Sequence, residues 1–92
     1  MGSLMKTNTE LALSIGRIES KEDLREFVSA LRRNLDEDPD SWENPTLDRY
    51  LQAMEAWMGS MENYYGNTGQ TPPTTPTWRT IADILYASKI YE

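Results

Sequence analysis

Apolar side chains recur at helical spacing in three separate stretches of this chain. In the first, Leu24, Phe27, Val28, Leu31 and Leu35 keep one face of a helix apolar. Ser20 precedes the stretch as a cap, and Asp23 holds the reciprocal capping-box position. Glu22 and Asp23 suit the positive end of the helix dipole, while Arg32 and Arg33 suit its negative end. This spacing predicts a helix over about 21–35. The second stretch predicts a helix over about 46–65, with Asn44 as cap, Pro45 at the first helical position and Gly66 as the stop. Its central stripe is Leu47, Leu51, Met54, Met58, Met61 and Tyr65, flanked by Tyr50, Trp57 and Tyr64. So wide an apolar sector calls for two neighbours. The third stretch predicts a helix over about 76–91, capped by Thr75 or Thr77. Trp78, Ile81, Ala82 and Leu85 form its core stripe, and Ile84, Ala87 and Tyr91 form a second strip on another side.

The remaining segments connect these helices. In residues 1–19, Leu11, Leu13 and Ile15 alternate as in a strand, whereas Leu11, Ile15 and Ile18 share one face of a helix. A short helix or an extended arm packed on the domain is expected there. Residues 36–45 are an acidic loop. Residues 66–77 are a loop rich in Thr, Pro and Gly, in which Pro73-Thr74-Thr75-Pro76 is formally a PxxP segment, read here as a stiffened connection. The fold expected is all-α: a compact bundle of three main helices, with an N-terminal arm (1–19) and a single helical domain (20–92).

The chain has 92 residues, of which 38% are hydrophobic. A domain of this size has a thin stability margin, so its three Trp, five Tyr and five Met matter for the area they bury. Trp57 and Trp78, on helix stripes, are expected in the core. Neither Cys nor His is present. Disulfides, thiolate or imidazole metal sites and the commonest general base are therefore excluded. No apolar run approaches a membrane span, and a cytoplasmic setting is expected.

Charge changes the picture more. The formal net charge is −6, and residues 36–66 hold eight carboxylates against Arg49 alone. Nucleic acid and anionic membrane surfaces are disfavoured as partners, whereas a basic protein is permitted. Asp36, Asp38 and Asp40 match the opening of a calcium loop. Pro39 then intrudes at the fourth position, and Ser41 and Leu47 stand where its pattern requires a glycine and a bidentate Glu. No metal site is expected. Nor is a catalytic or cofactor site: there is no Gly-rich phosphate loop, and only Lys6, Lys21 and Lys89 could serve as a lysine base. Trp42 lies within the acidic loop. Exposed, it would be a hot spot for an Arg-rich partner; folded inward, it would plug the gap between helices.

Trp42-Glu43-Asn44 followed by Leu47, then Ala56-Trp57, Tyr64-Tyr65, Trp78, Ala82-Asp83-Ile84-Leu85 and the terminal Tyr91-Glu92 resemble a small bacterial family of domains of unknown function. The resemblance covers about residues 18–92 and implies a compact helical domain, with no activity, cofactor or catalytic residue attached to it.

Two functional expectations follow. The first is a non-enzymatic acidic interaction module that neutralises a basic partner, as an immunity protein does a toxin, through Asp36, Glu37, Asp38, Asp40, Trp42 and Glu43. The second is a structural domain forming a homodimer through Ile84, Ala87 and Tyr91.

Overall fold

The computed structural model describes residues 8–70 and 75–91. Its regular structure is helical throughout, but the three-helix count fails. Among the described residues there are five α-helices, α1 (Asn8–Ile15), α2 (Lys21–Glu37), α3 (Leu47–Met58), α4 (Met61–Asn67) and α5 (Trp78–Ile90), with a 3-10 turn at Pro39–Ser41. Residues 73 and 74 of the PxxP segment lie outside the described residues.

Two corrections account for the difference. The first concerns the N-terminal stretch, left outside the count of main helices, where the short helix rather than the extended arm forms over Asn8–Ile15. Leu11 is fully buried and Ile15 and Ile18 nearly so, while Leu13 is 62% exposed. The helical pattern therefore prevails over the alternating one, and α1 packs on α2 and α5.

The second correction is the division of the long second helix. α3 ends at Gly59, and Ser60 leaves helical geometry at φ −117° and ψ 5°. Gly and Ser are weak helix formers, and such pairs are common break points. The chain turns here and stacks Trp57 against Tyr64 and Tyr65, at ring-centroid distances of 5.6 and 6.5 Å.

Termination also differs from the sequence expectation. Gly66 lies inside α4. The stop is a Schellman motif at Gly69, whose φ is +74°. Gln70 N–H donates to the Tyr65 carbonyl (2.7 Å) and Gly69 N–H to that of Gly66 (3.2 Å).

Capping at α2 and α5 follows sequence logic. Ser20 Oγ accepts from Asp23 N–H, and the Asp23 carboxylate reaches back to Glu19 N–H. Thr77 caps α5 in a reciprocal box with Thr80. The cap of α3, however, is Thr46 rather than Asn44.

α5 is the central helix, packed against α1, α2 and α3. The core joins Leu11, Ile15, Ile18, Phe27, Ala30, Leu31, Trp42 and Ala82, with Leu24, Leu35, Tyr50, Leu85 and Tyr86 packed around it. Trp78, expected in the core, is 43% exposed. α3 is rotated from the expected orientation. Ala53 and Trp57 are buried, while Leu47, Leu51 and Met58 are 73%, 51% and 49% exposed.

The two glycines should respond oppositely to alanine. Gly66→Ala removes a helix-interior glycine with open space around it and should stabilise by about 0.5–1 kcal/mol. Gly69→Ala forces a side chain into left-handed geometry and should destabilise by about 1 kcal/mol. Urea denaturation midpoints of the two variants check this.

Candidate functional site

The acidic segment is held at both ends. On one side, α2 runs on to Glu37, so Asp36 and Glu37 fall at the negative end of its dipole, where a carboxylate is mildly unfavourable. Asp38 closes the helix by donating its N–H to the Asn34 carbonyl (2.8 Å). The 3-10 turn then sends Trp42 inward.

Trp42 is 9% exposed. Its indole N–H donates to Asn34 Oδ1 at 2.7 Å, and its ring lies 5.9 Å from that of Tyr50. The Lys89 ammonium sits 5.5 Å from the Trp42 ring centroid and 6.0 Å from that of Tyr86. Lys89 is fully buried. Burial pulls its pKa below the usual lysine value, and the charge of Asp38 partly offsets this.

On the other side, Asn44 is tied to the end of α5. Its side-chain amide donates to the carbonyls of Ser88 (3.1 Å) and Tyr91 (2.7 Å), and its backbone N–H donates to that of Lys89 (3.1 Å). A residue read as the start of α3 therefore serves as the C-terminal cap of α5, satisfying carbonyls that a helix end leaves open.

The sequence-predicted interaction residues therefore separate. Asp36, Glu37, Asp40 and Glu43 are exposed, Asp38 is half-buried, and Trp42 is sealed in the core. No arginine pairs with these carboxylates among the described residues. Arg49 donates instead to the Glu43 carbonyl at 2.6 Å. Of the two placements that the sequence allows for Trp42, the inward plug is the one found, so the indole is absent from this surface. The strip Ile84, Ala87, Tyr91 is not an exposed face either. Ala87 is buried and Ile84 and Tyr91 are half-buried. Ile84 lines a groove with Met58 and Met61, whereas Ala87 and Tyr91 line a cleft facing α1. Among the described residues, no three carboxylates converge as metal ligands. Asp36 is helical and Asp40 lies in the 3-10 turn, so the calcium-loop geometry is not formed.

Besides the groove at Met58, Met61 and Ile84, two further concavities flank α5 among the described residues. An apolar groove of about 290 Å³ runs between α2 and α3, lined chiefly by Val28, Leu31, Leu35, Leu47, Tyr50 and Leu85. A larger cleft of about 470 Å³ opens between α1, α4 and α5, where Arg79 and Asp83 meet Trp57, Tyr64 and Tyr86. Asp83 Oδ2 accepts a 2.7 Å hydrogen bond from Tyr65. Burial raises the Asp83 pKa, opposed by that hydrogen bond and by the charge of Arg79. Sequence reasoning missed both features, and it missed Asn34. The available signal for Asn34 was its spacing, seven residues after Phe27 and three after Leu31 on the buried stripe.

Tyr50 donates its hydroxyl to the Leu85 carbonyl at 2.7 Å. Burial pushes its pKa from 10.0 up to about 12, with the Ser88 hydroxyl opposing. The folded protein holds this proton more tightly than the unfolded chain. The Tyr50 contribution is therefore complete below pH 10 and lost as pH rises toward 12. Lys89 acts in the opposite sense, adding stability as pH rises through its lowered folded value toward 10.5. Denaturation midpoints should fall above pH 10, and Tyr50→Phe should flatten that fall by up to about 2 kcal/mol. Asn44→Ala should cost about 1–3 kcal/mol at neutral pH, because it strands the carbonyls at the end of α5.

No curated protein and no solved structure matches this chain. A family of unknown function, DUF7660, matches over residues 20–92, which span α2 to α5 and leave α1 outside. The chain belongs to the DUF7660 family.

Proposed function

We propose that this domain is a binding module rather than an enzyme, and that its α2/α3 groove takes an amphipathic segment of a basic protein. The observation that carries the reading is the outward face of α3. Leu47 and Leu51 are 73% and 51% exposed beside a groove whose lining is almost wholly apolar. Leucines in solvent next to a preformed groove suit helix-in-groove recognition. The chain joining the two lips carries Asp36, Glu37, Asp38, Asp40, Glu43 and Asp48, which favours lysine or arginine around the partner's apolar anchors. Arg32 also lines the groove and would meet an acidic or carbonyl group of that partner. The sequence resemblance supports a bacterial setting, and we place the protein in the cytoplasm. Among the described residues no helix is long and apolar enough to cross a membrane.

A second copy fits the groove less well, because two chains of charge −6 would bring like charges together at the rim.

A fluorescent Leu/Lys amphipathic helical peptide is the probe. Saturable binding is expected, with an association rate that falls as salt rises. Leu47→Asp with Leu51→Asp should weaken binding about tenfold or more. Asp36→Lys with Glu43→Lys should slow association while leaving dissociation nearly unchanged. Equal binding of a Leu/Glu peptide, or indifference to the leucine changes, would overturn the reading. So would a dimer in light scattering that is lost with the leucine changes.

A further inference from the structure

We propose that the cleft between α1, α4 and α5 is a second, separate site, which binds a small zwitterion of the free α-amino-acid class with an aromatic or aliphatic side chain. Three independent features converge on that chemistry. The first is size: about 470 Å³ falls within the range of small-molecule sites, ~300–1,000 Å³. The second is the apolar wall, formed by Trp57, Tyr64 and Tyr86 with Ile15 of α1 opposite. Trp57 and Tyr64 are tilted 56° to one another, so they form a corner rather than a flat surface.

The third feature is a pair of opposite charges that feel one another through space but form no ion pair. Arg79 and Asp83 stand one turn apart on α5, a spacing that puts Cβ atoms ~5–6 Å apart. Both line the cleft, yet they form no ion pair. The Arg79 guanidinium is exposed and makes no hydrogen bond among the described residues. Asp83 is anchored through Oδ2 by the Tyr65 hydroxyl, which fixes the carboxylate and leaves Oδ1 to accept. An α-amino acid presents an ammonium and a carboxylate on the same carbon. Its ammonium would donate to Asp83 Oδ1, its carboxylate would take the planar fork of Arg79, and its side chain would enter the aromatic corner. A cation alone would leave Arg79 unmatched and repelled, and an anion alone would do the same to Asp83. One wall comes from α1, outside the family match. The complete site is therefore a property of this chain's N-terminal helix together with Trp57 of α3, α4 and α5.

Isothermal titration with L-phenylalanine and L-leucine tests the proposal. The single-charge analogues 3-phenylpropionate and phenethylamine serve as controls. At least one amino acid should bind with a dissociation constant of about 1 mM or tighter, and loss of either charge from the ligand should weaken binding about tenfold or more. Arg79→Gln should weaken the amino acid about tenfold without loss of fold, because the side chain is exposed and supports no contact. Asp83→Asn should do the same, with its melting temperature measured in parallel. Leu47→Asp, on the other side of α5, should leave this binding unchanged, which separates the site from the groove. No saturable heat with either amino acid up to about 10 mM would overturn the proposal. Equal binding by a single-charge analogue, or indifference to Arg79→Gln, would do so as well.

Discussion

Burial of the Trp42 ring organises the rest of the molecule. The indole is held edge-on by Asn34 from α2, and the Lys89 ammonium of α5 stands over its face. Two residues later, Asn44 is bonded to the carbonyls at the end of α5. The linker between α2 and α3 is thereby tied to both of its neighbours. A segment as acidic as this would gain little from collapse on its own. It is ordered because one aromatic ring and one amide enter the core while the carboxylates between and beside them stay in water. The same arrangement eases the burial of Lys89, whose pKa desolvation lowers. Cation–π attraction and the nearby Asp38 charge replace part of the hydration that burial removes.

The rotation of α3 follows from the same ring. Tyr50 stacks on Trp42 and donates to the Leu85 carbonyl, which fixes one face of the helix inward. Tyr50, Ala53 and Trp57 then lie on the buried side, and the leucines a half-turn away are left outside. A ranking by hydropathy alone places Leu47 and Leu51 inward, because it cannot weigh an aromatic stack and a phenol hydrogen bond formed with another helix. Trp78 was misplaced as well. It opens α5 in the first turn after the Thr77 cap and remains 43% exposed there.

What could be read from the sequence was whatever is decided within a few residues. The all-helical character, the Ser20 and Thr77 caps and the Phe27–Leu31 stripe depend on spacing and on side chains bonding their own backbone neighbours. What could not be read depends on partners distant along the chain. Asn44 is a plausible local cap by type, and only its pairing with Ser88 and Tyr91 makes it the end of a different helix. Gly66 and Gly69 are both reasonable stops, and the choice falls on the one whose neighbours close the Schellman hydrogen bonds. The candidate site divided along the same line. The exposed carboxylates follow from composition, and the inward Trp42 is one of the two placements the sequence allows, while the outward leucines and the Arg79–Asp83 gap are products of packing.

The central position of α5 explains how so small a domain carries both the groove and the cleft. Leu85 faces the groove beside α3, whereas Asp83 and Tyr86 face the cleft beside α1, and the two share no lining residue. A helix surrounded on three sides must present different chemistry to each neighbour, so its sequence lacks a single clean apolar stripe. The groove is lined by side chains whose only gain is exclusion of water, which suits a long apolar partner. The cleft has one anchored carboxylate, Asp83, with the Arg79 guanidinium one turn away, which suits a small ligand of matching charge pattern. The separation has an energetic consequence. Occupying the cleft should rigidify α1 against α5, and any coupling to the groove must pass through α5 or through α3, which lends Trp57 to the cleft and Leu47 and Tyr50 to the groove. The tightly held segment of α5, from Leu85 to Lys89, is bonded at one edge by Tyr50 and at the other by Asn44. A helix pinned in this way transmits little displacement, and the two surfaces are therefore expected to act independently.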